Sequence, residues 1–429
     1  MELISESRRG FLRKVQGYSL LAFLLGRDFA REAIAKGRGR NLKGNVYTRL
    51  GVKPIISANI PFTFLSATLV WPEVRQAMEE AANYFVDIVQ LQRAVGRRLA
   101  DISGAESGMI TSGAAGAMAL ATAACIAGRD PEKIWQLPDT TGLKHEIVMW
   151  GGRSIFDSAL RLAGGKPVVV RNLAELRSAL NRNTAMFYTG YPADPDPVDA
   201  APLSEIVPIC KAASVPVFVD AAGGIPPIAN LRRYPPLGVD LYAFSGGKGL
   251  RGPQCSGLLL GRKDLIEAAL ANNNPVEGAI CRPLKVGKEE IVGCLAAVEK
   301  WLTVDLDKLY AEQTRKLKRI AAMLETVSGV TTEIDVRKGS NRFMQLTVRW
   351  SAKTLGITQQ ECERKLREGS PPISVLATYN PYGVHVGEWA VTSKTREPEH
   401  HSVVVYSLGL QPGEELIVGR RLREVLKGV

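Results

Sequence analysis

Three short segments carry residue types that could do chemistry together. In the first, Asp220 closes the apolar run Val217 to Val219 and is followed by Ala221, Ala222, Gly223 and Gly224. Residues that small let a flat group approach the backbone. In the second, Lys248 sits among Gly246, Gly247 and Gly249, just after the apolar run Tyr242 to Phe244 and three residues after Ser245. The third is the small-residue turn Thr111 to Gly116, in which Ser112 and Gly113 open a helical stretch. A helix start offers free N–H groups and a positive dipole end to a phosphate. A strand-end aspartate alone is more often a helix cap, and a glycine-flanked lysine alone is more often a loop residue. Placed on one rim of one sheet, the three supply what pyridoxal 5'-phosphate (PLP) needs. Lysine provides an amine for a Schiff base, a carboxylate keeps the pyridine nitrogen protonated so that the ring can accept electrons, and the turn receives the phosphate.

Two rival motifs fail their context. Gly247, Gly249 and Gly252 fit the spacing of a dinucleotide-binding loop, which must open a helix; Pro253 and an apolar strand-like run follow instead. A phosphate-binding P-loop ending at Lys248 would need glycine at 242 and serine or threonine at 249, where the chain has Tyr242 and Gly249.

The elements that must position these residues alternate. Strand-like runs at Gly108–Thr111, Glu146–Trp150, Lys166–Val170, Ala185–Thr189, Val215–Asp220, Val239–Phe244 and Leu258–Leu260 are separated by helical stretches at Ser112–Gly128, from about Ser154, at Leu173–Leu180 and at Leu203–Ala213. This is an α/β pattern with a mostly parallel, helix-covered sheet, whose ligands collect outside the carboxyl ends of the strands. A long helix over roughly Glu289 to Ser328 then leads into strand-like Phe343–Arg349 and His401–Leu408, which predicts a smaller α+β C-terminal domain. The expected division is an address segment at 1–35, an arm at 36–60, a PLP-binding large domain at 61–295 and the small domain at 296–429.

Composition removes other classes. The net charge of +12 raises nucleic acid or an anionic substrate as partners. The one dense basic patch, at 37–44, has no interleaved aromatics on which bases could stack, so no nucleic acid is expected. Six cysteines without a CxxC spacing and four histidines without HExxH give no metal site. No apolar run approaches the roughly 20 residues that a membrane span needs.

With these residues in hand, the chain resembles the aminotransferase-like, fold-type-I superfamily of PLP enzymes. Within it, the chain is similar to the branch of bacterial selenocysteine synthase (L-seryl-tRNA selenium transferase) and D-glucosaminate-6-phosphate ammonia-lyase. The resemblance runs from about Gly51 to Lys300 and rests on the lysine loop Ser245–Gln254, on Pro283–Glu289 and on His145–Val148. It implies that Lys248 carries the cofactor, Asp220 partners its pyridine nitrogen, and Ser245 with Ser112 and Gly113 holds its phosphate. The residue stacked on the ring should follow Trp150, with Arg153 and Phe156 as candidates, and Arg251 is a candidate ligand for a substrate carboxylate or phosphate. The same resemblance implies a homodimer. The expected activity is an α,β-elimination of the ammonia-lyase type on a small-molecule amino acid or amino-sugar acid. A PLP-dependent transferase is the alternative, and a non-catalytic binding protein on the same fold is the alternative from another class.

Residues 7–13 resemble the twin-arginine export signal, and an apolar stretch from Val15 to Gly26 and an Ala-x-Ala site at Ala33–Ala35 follow. Export machinery is then a partner of the N-terminus, the protein is exported already folded, and tRNA is not its substrate. Exchanging both Arg8 and Arg9 for lysine keeps the charge but removes the paired guanidinium groups. Cell fractionation should find the wild type exported and the double variant retained. Equal export of both would reduce the segment to a basic arm.

Overall fold

The computed structural model describes residues 44–154, 156–190, 203–376 and 400–428, so the expected export signal at 1–35 lies outside the described residues. In chain order the strands are β1 (Ile56–Ala58), β2 (Ser107–Thr111), β3 (Glu146–Trp150), β4 (Lys166–Val170), β5 (Thr184–Gly190), β6 (Val217–Asp220), β7 (Leu241–Ser245), β8 (Gly257–Gly261), β9 (Val330–Val336), β10 (Met344–Ser351), β11 (Ile373–Val375) and β12 (His400–Tyr406). Seven of them form one sheet in the order β2-β8-β7-β6-β5-β3-β4. Its pairs are parallel except at β8, which runs antiparallel to both β2 and β7. The mostly parallel α/β reading holds, and all seven anticipated runs are strands of this sheet.

Both faces of the sheet are buried, so side chains alternate between two apolar layers rather than between core and water. Met109, Met149, Phe218, Leu241 and Leu259 point into one layer, where the helix Gly113–Ala127 packs. Ile110, Val148, Val217, Val219, Tyr242 and Leu258 point into the other, with Val95 and Leu99 of the helix Ile88–Ser103. The helix Gly113–Ala127 is buried almost all round and is built largely from alanine. Small residues are what let a helix lie close against the middle of a sheet.

The single helix expected over Glu289–Ser328 is two, Lys288–Trp301 and Leu306–Leu324. The second has its own start signal, because the Asp305 side chain accepts from the Lys308 N–H. Similarly, the helical stretch expected from about Ser154 is a short helix, Ser158–Leu162. The smaller sheet, β12-β10-β9, is antiparallel and carries its own core with Leu317, Ile320, Val418 and Leu422. Strand β1, within the expected arm, pairs in parallel with β11 and adds Ile56 and Ala58 to this core.

Strand β2 lies at an edge of the large sheet, where unpaired backbone groups are a liability. The buried Gln92 answers for one residue. Its Nε2 donates to the Ile110 carbonyl (2.7 Å) and its Oε1 accepts from the Ile110 N–H (2.9 Å). Gln92→Leu would leave both groups without a partner, at about 1–3 kcal/mol each. Urea unfolding should therefore show a loss of about 2–6 kcal/mol, and an unchanged midpoint would mean that water replaces the amide.

Candidate active site

The strand register brings the three segments to one rim. Thr111 at the end of β2 and Ser245 at the end of β7 both lie opposite Gly257 of the intervening β8. Asp220 ends β6 beside Gly190 of β5 and Ala243 of β7. Glycine is required at 257, because a Cβ there would meet the Gly113 carbonyl carbon at 2.5 Å. This close approach seats the start of the helix Gly113–Ala127 on the rim next to Ser245. Among the described residues no side-chain hydrogen bond caps that helix start, and the space beside the Gly113 Cα is open.

Asp220 is half-buried and hydrogen-bonded on both oxygens. Oδ1 accepts from the Ala222 N–H (3.0 Å) and Oδ2 from the Tyr188 hydroxyl (3.3 Å). Burial pushes its pKa up, opposed by the Ala222 N–H, the charge of Lys248 and the Tyr188 hydroxyl. Tyr188 is itself buried, stacks on Phe218, and has its phenol pushed far up by burial and then by the negative charge of Asp220, so it remains a donor. Lys248, in the loop between β7 and β8, is half-buried; burial lowers its pKa and the Asp220 charge opposes that. Its Nζ lies 6.0 Å from the centre of the Phe156 ring.

These residues fit PLP. Among the described residues the desolvated Asp220 carboxylate accepts hydrogen bonds from two neutral donors and feels the charge of Lys248 without a direct ion pair, and a protonated pyridine nitrogen would provide one. A lysine amine with a depressed pKa is a ready nucleophile for the aldehyde. The uncapped helix start beside Ser245 suits the phosphate.

The remaining sequence candidates separate. The Arg153 guanidinium is held by Asp157, which also pairs with Arg161, whereas Phe156 faces Lys248. The Arg251 guanidinium lies over the Trp71 ring, 3.9 Å from its centre, and its Nε donates to the Leu69 carbonyl (3.0 Å). Sequence reasoning missed Tyr188, which stands in an ordinary apolar run and reaches Asp220 only because β5 and β6 are neighbours. It also missed the residues that grip the lysine loop, Thr68, Trp71 and Trp301, for the same reason.

Comparison with known proteins gives the chain's family. Residues 169–355 match the aminotransferase class-V family. The chain is 32% identical over 392 residues to 5'-C-glycyluridine monooxygenase-decarboxylase of a Streptomyces species, covering 89% of this chain and 92% of that protein. It is 31% identical over 393 residues to D-glucosaminate-6-phosphate ammonia lyase of Salmonella typhimurium, covering 89% and 98%. A solved structure of D-glucosaminate-6-phosphate ammonia-lyase superposes with a TM-score of 0.74 at 29% identity, over 90% of this chain and 99% of that one. The chain belongs to the fold-type-I, aminotransferase class-V family of PLP-dependent enzymes.

Proposed function

We propose that the protein is a PLP-dependent lyase that removes ammonia from an amino acid or amino-sugar acid bearing a β-hydroxyl. One observation carries this reading: a desolvated carboxylate, Asp220, and a lysine of lowered pKa, Lys248, share the rim on which a helix start lies uncapped. The similarity to an ammonia lyase along 89% of the chain supports the reaction type.

When bound, the cofactor supplies an electron sink for the carbanion at the substrate Cα. Lys248 would hold the cofactor through its amine and would be free to act as a base when substrate is bound. The freed Nζ then removes the α-proton, a role that its burial favours because the neutral amine is available at lower pH than on an exposed lysine. Asp220 keeps a proton on the pyridine nitrogen, and Tyr188 keeps Asp220 oriented. Ser112, Gly113 and Ser245 would hold the phosphate, and Phe156 would lie against the ring. Loss of the β-hydroxyl as water, followed by hydrolysis, releases a 2-keto acid and ammonia. Homodimerisation, usual for this fold type, has support from the apolar side chains of Tyr84, Phe85 and Val86 exposed on one loop. Export by the twin-arginine route rests on residues 7–13.

The purified protein should be yellow, and borohydride should bleach it and leave the cofactor mass on the peptide containing Lys248. A tag on a different lysine refutes the site. A screen of hydroxylated amino acids and amino-sugar acids should release ammonia without consuming oxygen; oxygen uptake with release of carbon dioxide would instead place the activity with the Streptomyces relative.

Asp220→Asn should retain the fold and lose roughly 100-fold or more in turnover, because an amide does not hold a proton on the ring nitrogen. Near-normal rates in this variant would mean that the ring is not the electron sink.

A further inference from the structure

The loop that carries Lys248 belongs to neither a helix nor a strand, yet four consecutive carbonyls in it accept hydrogen bonds from side chains. Thr68 Oγ1 reaches both the Gly247 and the Lys248 carbonyls at 3.1 Å. Trp301 Nε1 reaches those of Gly249 (3.1 Å) and Leu250 (3.0 Å), and Trp71 Nε1 also donates to Leu250 (3.2 Å). The two tryptophans stand where rigid elements meet. Trp71 immediately precedes the helix Pro72–Ala82, Trp301 closes the helix Lys288–Trp301, and their rings meet edge to face at 6.3 Å.

Thr68 differs from both. It lies on an irregular strap, and the two residues before it but one and before it, Ser66 (φ 63°) and Ala67 (φ 60°), occupy the left-handed region that side chains other than glycine rarely adopt. Such backbone persists only where the surroundings over-determine it. Here the strap is fixed at both ends on the lysine loop: Gln254 Nε2 donates to the Thr63 carbonyl (3.0 Å), and the Trp71 N–H donates to the Arg251 carbonyl (3.2 Å). The product of that strained turn is one hydroxyl shared between the two peptide groups that flank the Lys248 Cα.

We propose that Thr68 is a positioning residue for Lys248. By holding the peptide planes before and after the Lys248 Cα, it sets the direction in which the side chain leaves the backbone. The amine is thereby aimed between Asp220 and the Phe156 ring, instead of sampling the glycine-flanked loop's other conformations. A misplacement of about 1 Å at a reacting group costs on the order of 100-fold in rate, so the effect of this hydroxyl falls on the proton-transfer step and not on substrate binding. The inference rests on Lys248 being the lysine that carries the cofactor.

Three measurements, two on the holoenzyme and one on the full chain freed of cofactor, test it, with Thr68→Val, which keeps the shape and removes the donor, and Thr68→Ser, which restores it. The first is the pH midpoint of the visible absorbance. The second is the pH dependence with which trinitrobenzenesulfonate labels Lys248 after cofactor removal, resolved by peptide mapping. The third is the split between kcat and KM on the substrate found by the ammonia screen. The valine variant should move both pH midpoints and lose roughly 10- to 100-fold in kcat with KM within about twofold, and serine should recover most of each. Unmoved midpoints and an unchanged kcat in Thr68→Val, with the borohydride tag still on Lys248, would overturn the role of Thr68 alone. A wild-type tag on another lysine would overturn the Lys248 reading itself. Where valine does not accumulate as folded protein, Thr68→Ala is judged by the same midpoints.

Discussion

A carboxylate at the end of a fully buried strand is the condition to which the rest of the site answers. Val217, Phe218 and Val219 are wholly inside, so the strand that ends in Asp220 delivers its charge to a place with little water. An isolated ionised carboxylate there would shift its pKa and neutralise. The chain answers with its nearest neighbours in the sheet. On one side β5 brings the Tyr188 hydroxyl, on the other β7 leads into the loop that brings Lys248, and the strand's own continuation turns back the Ala222 N–H. Parallel neighbours end on the same rim, so a parallel sheet places partners from three elements around one strand end.

The antiparallel strand β8 extends this arrangement to the phosphate end. Lying between β2 and β7, it separates them by one strand while leaving their carboxyl ends on the same rim. The helix that follows β2 therefore starts beside the end of β7, and the absence of a side chain at Gly257 closes the remaining gap. Asp220, Lys248 and the helix start are thus held by consecutive parts of one sheet, and their spacing inherits its rigidity.

Much of this could be read along the chain, and the exceptions share a cause. The strands were legible as short apolar runs between breakers, and Lys248 and Asp220 stood out by the glycines and alanines beside them, whose reason is close packing: a Cβ at Gly249 would meet the Ile225 carbonyl oxygen at 2.0 Å and one at Gly246 the Ser256 hydroxyl at 2.0 Å. The direction of β8 was not legible, since a run such as Leu258–Leu260 is equally apolar in either sense. The break between the helices Lys288–Trp301 and Leu306–Leu324 was hidden because apolar residues continue through Leu302 and Val304, and only Asp305 marks the new start. Tyr188, Thr68, Trp71 and Trp301 act across separations of 32 to 180 residues, where spacing in sequence carries no information about contact. Arg251 shows the converse: its charge and its nearness to Lys248 suggested a ligand, while its guanidinium rests on Trp71.

The parallel pairing of Ile56–Ala58 with Ile373–Val375 bears on the order of events during synthesis. Every strand of the large sheet lies between residues 107 and 261, so that sheet can be assembled while the remainder of the chain is still inside or attached to the ribosome. Ile56 and Ala58, which precede all of it in the chain, share a core with Val425 and Leu426, which follow all of it. Strand β1 thus pairs with a segment made after every strand of the large sheet, and the smaller core is completed only once that later segment is available.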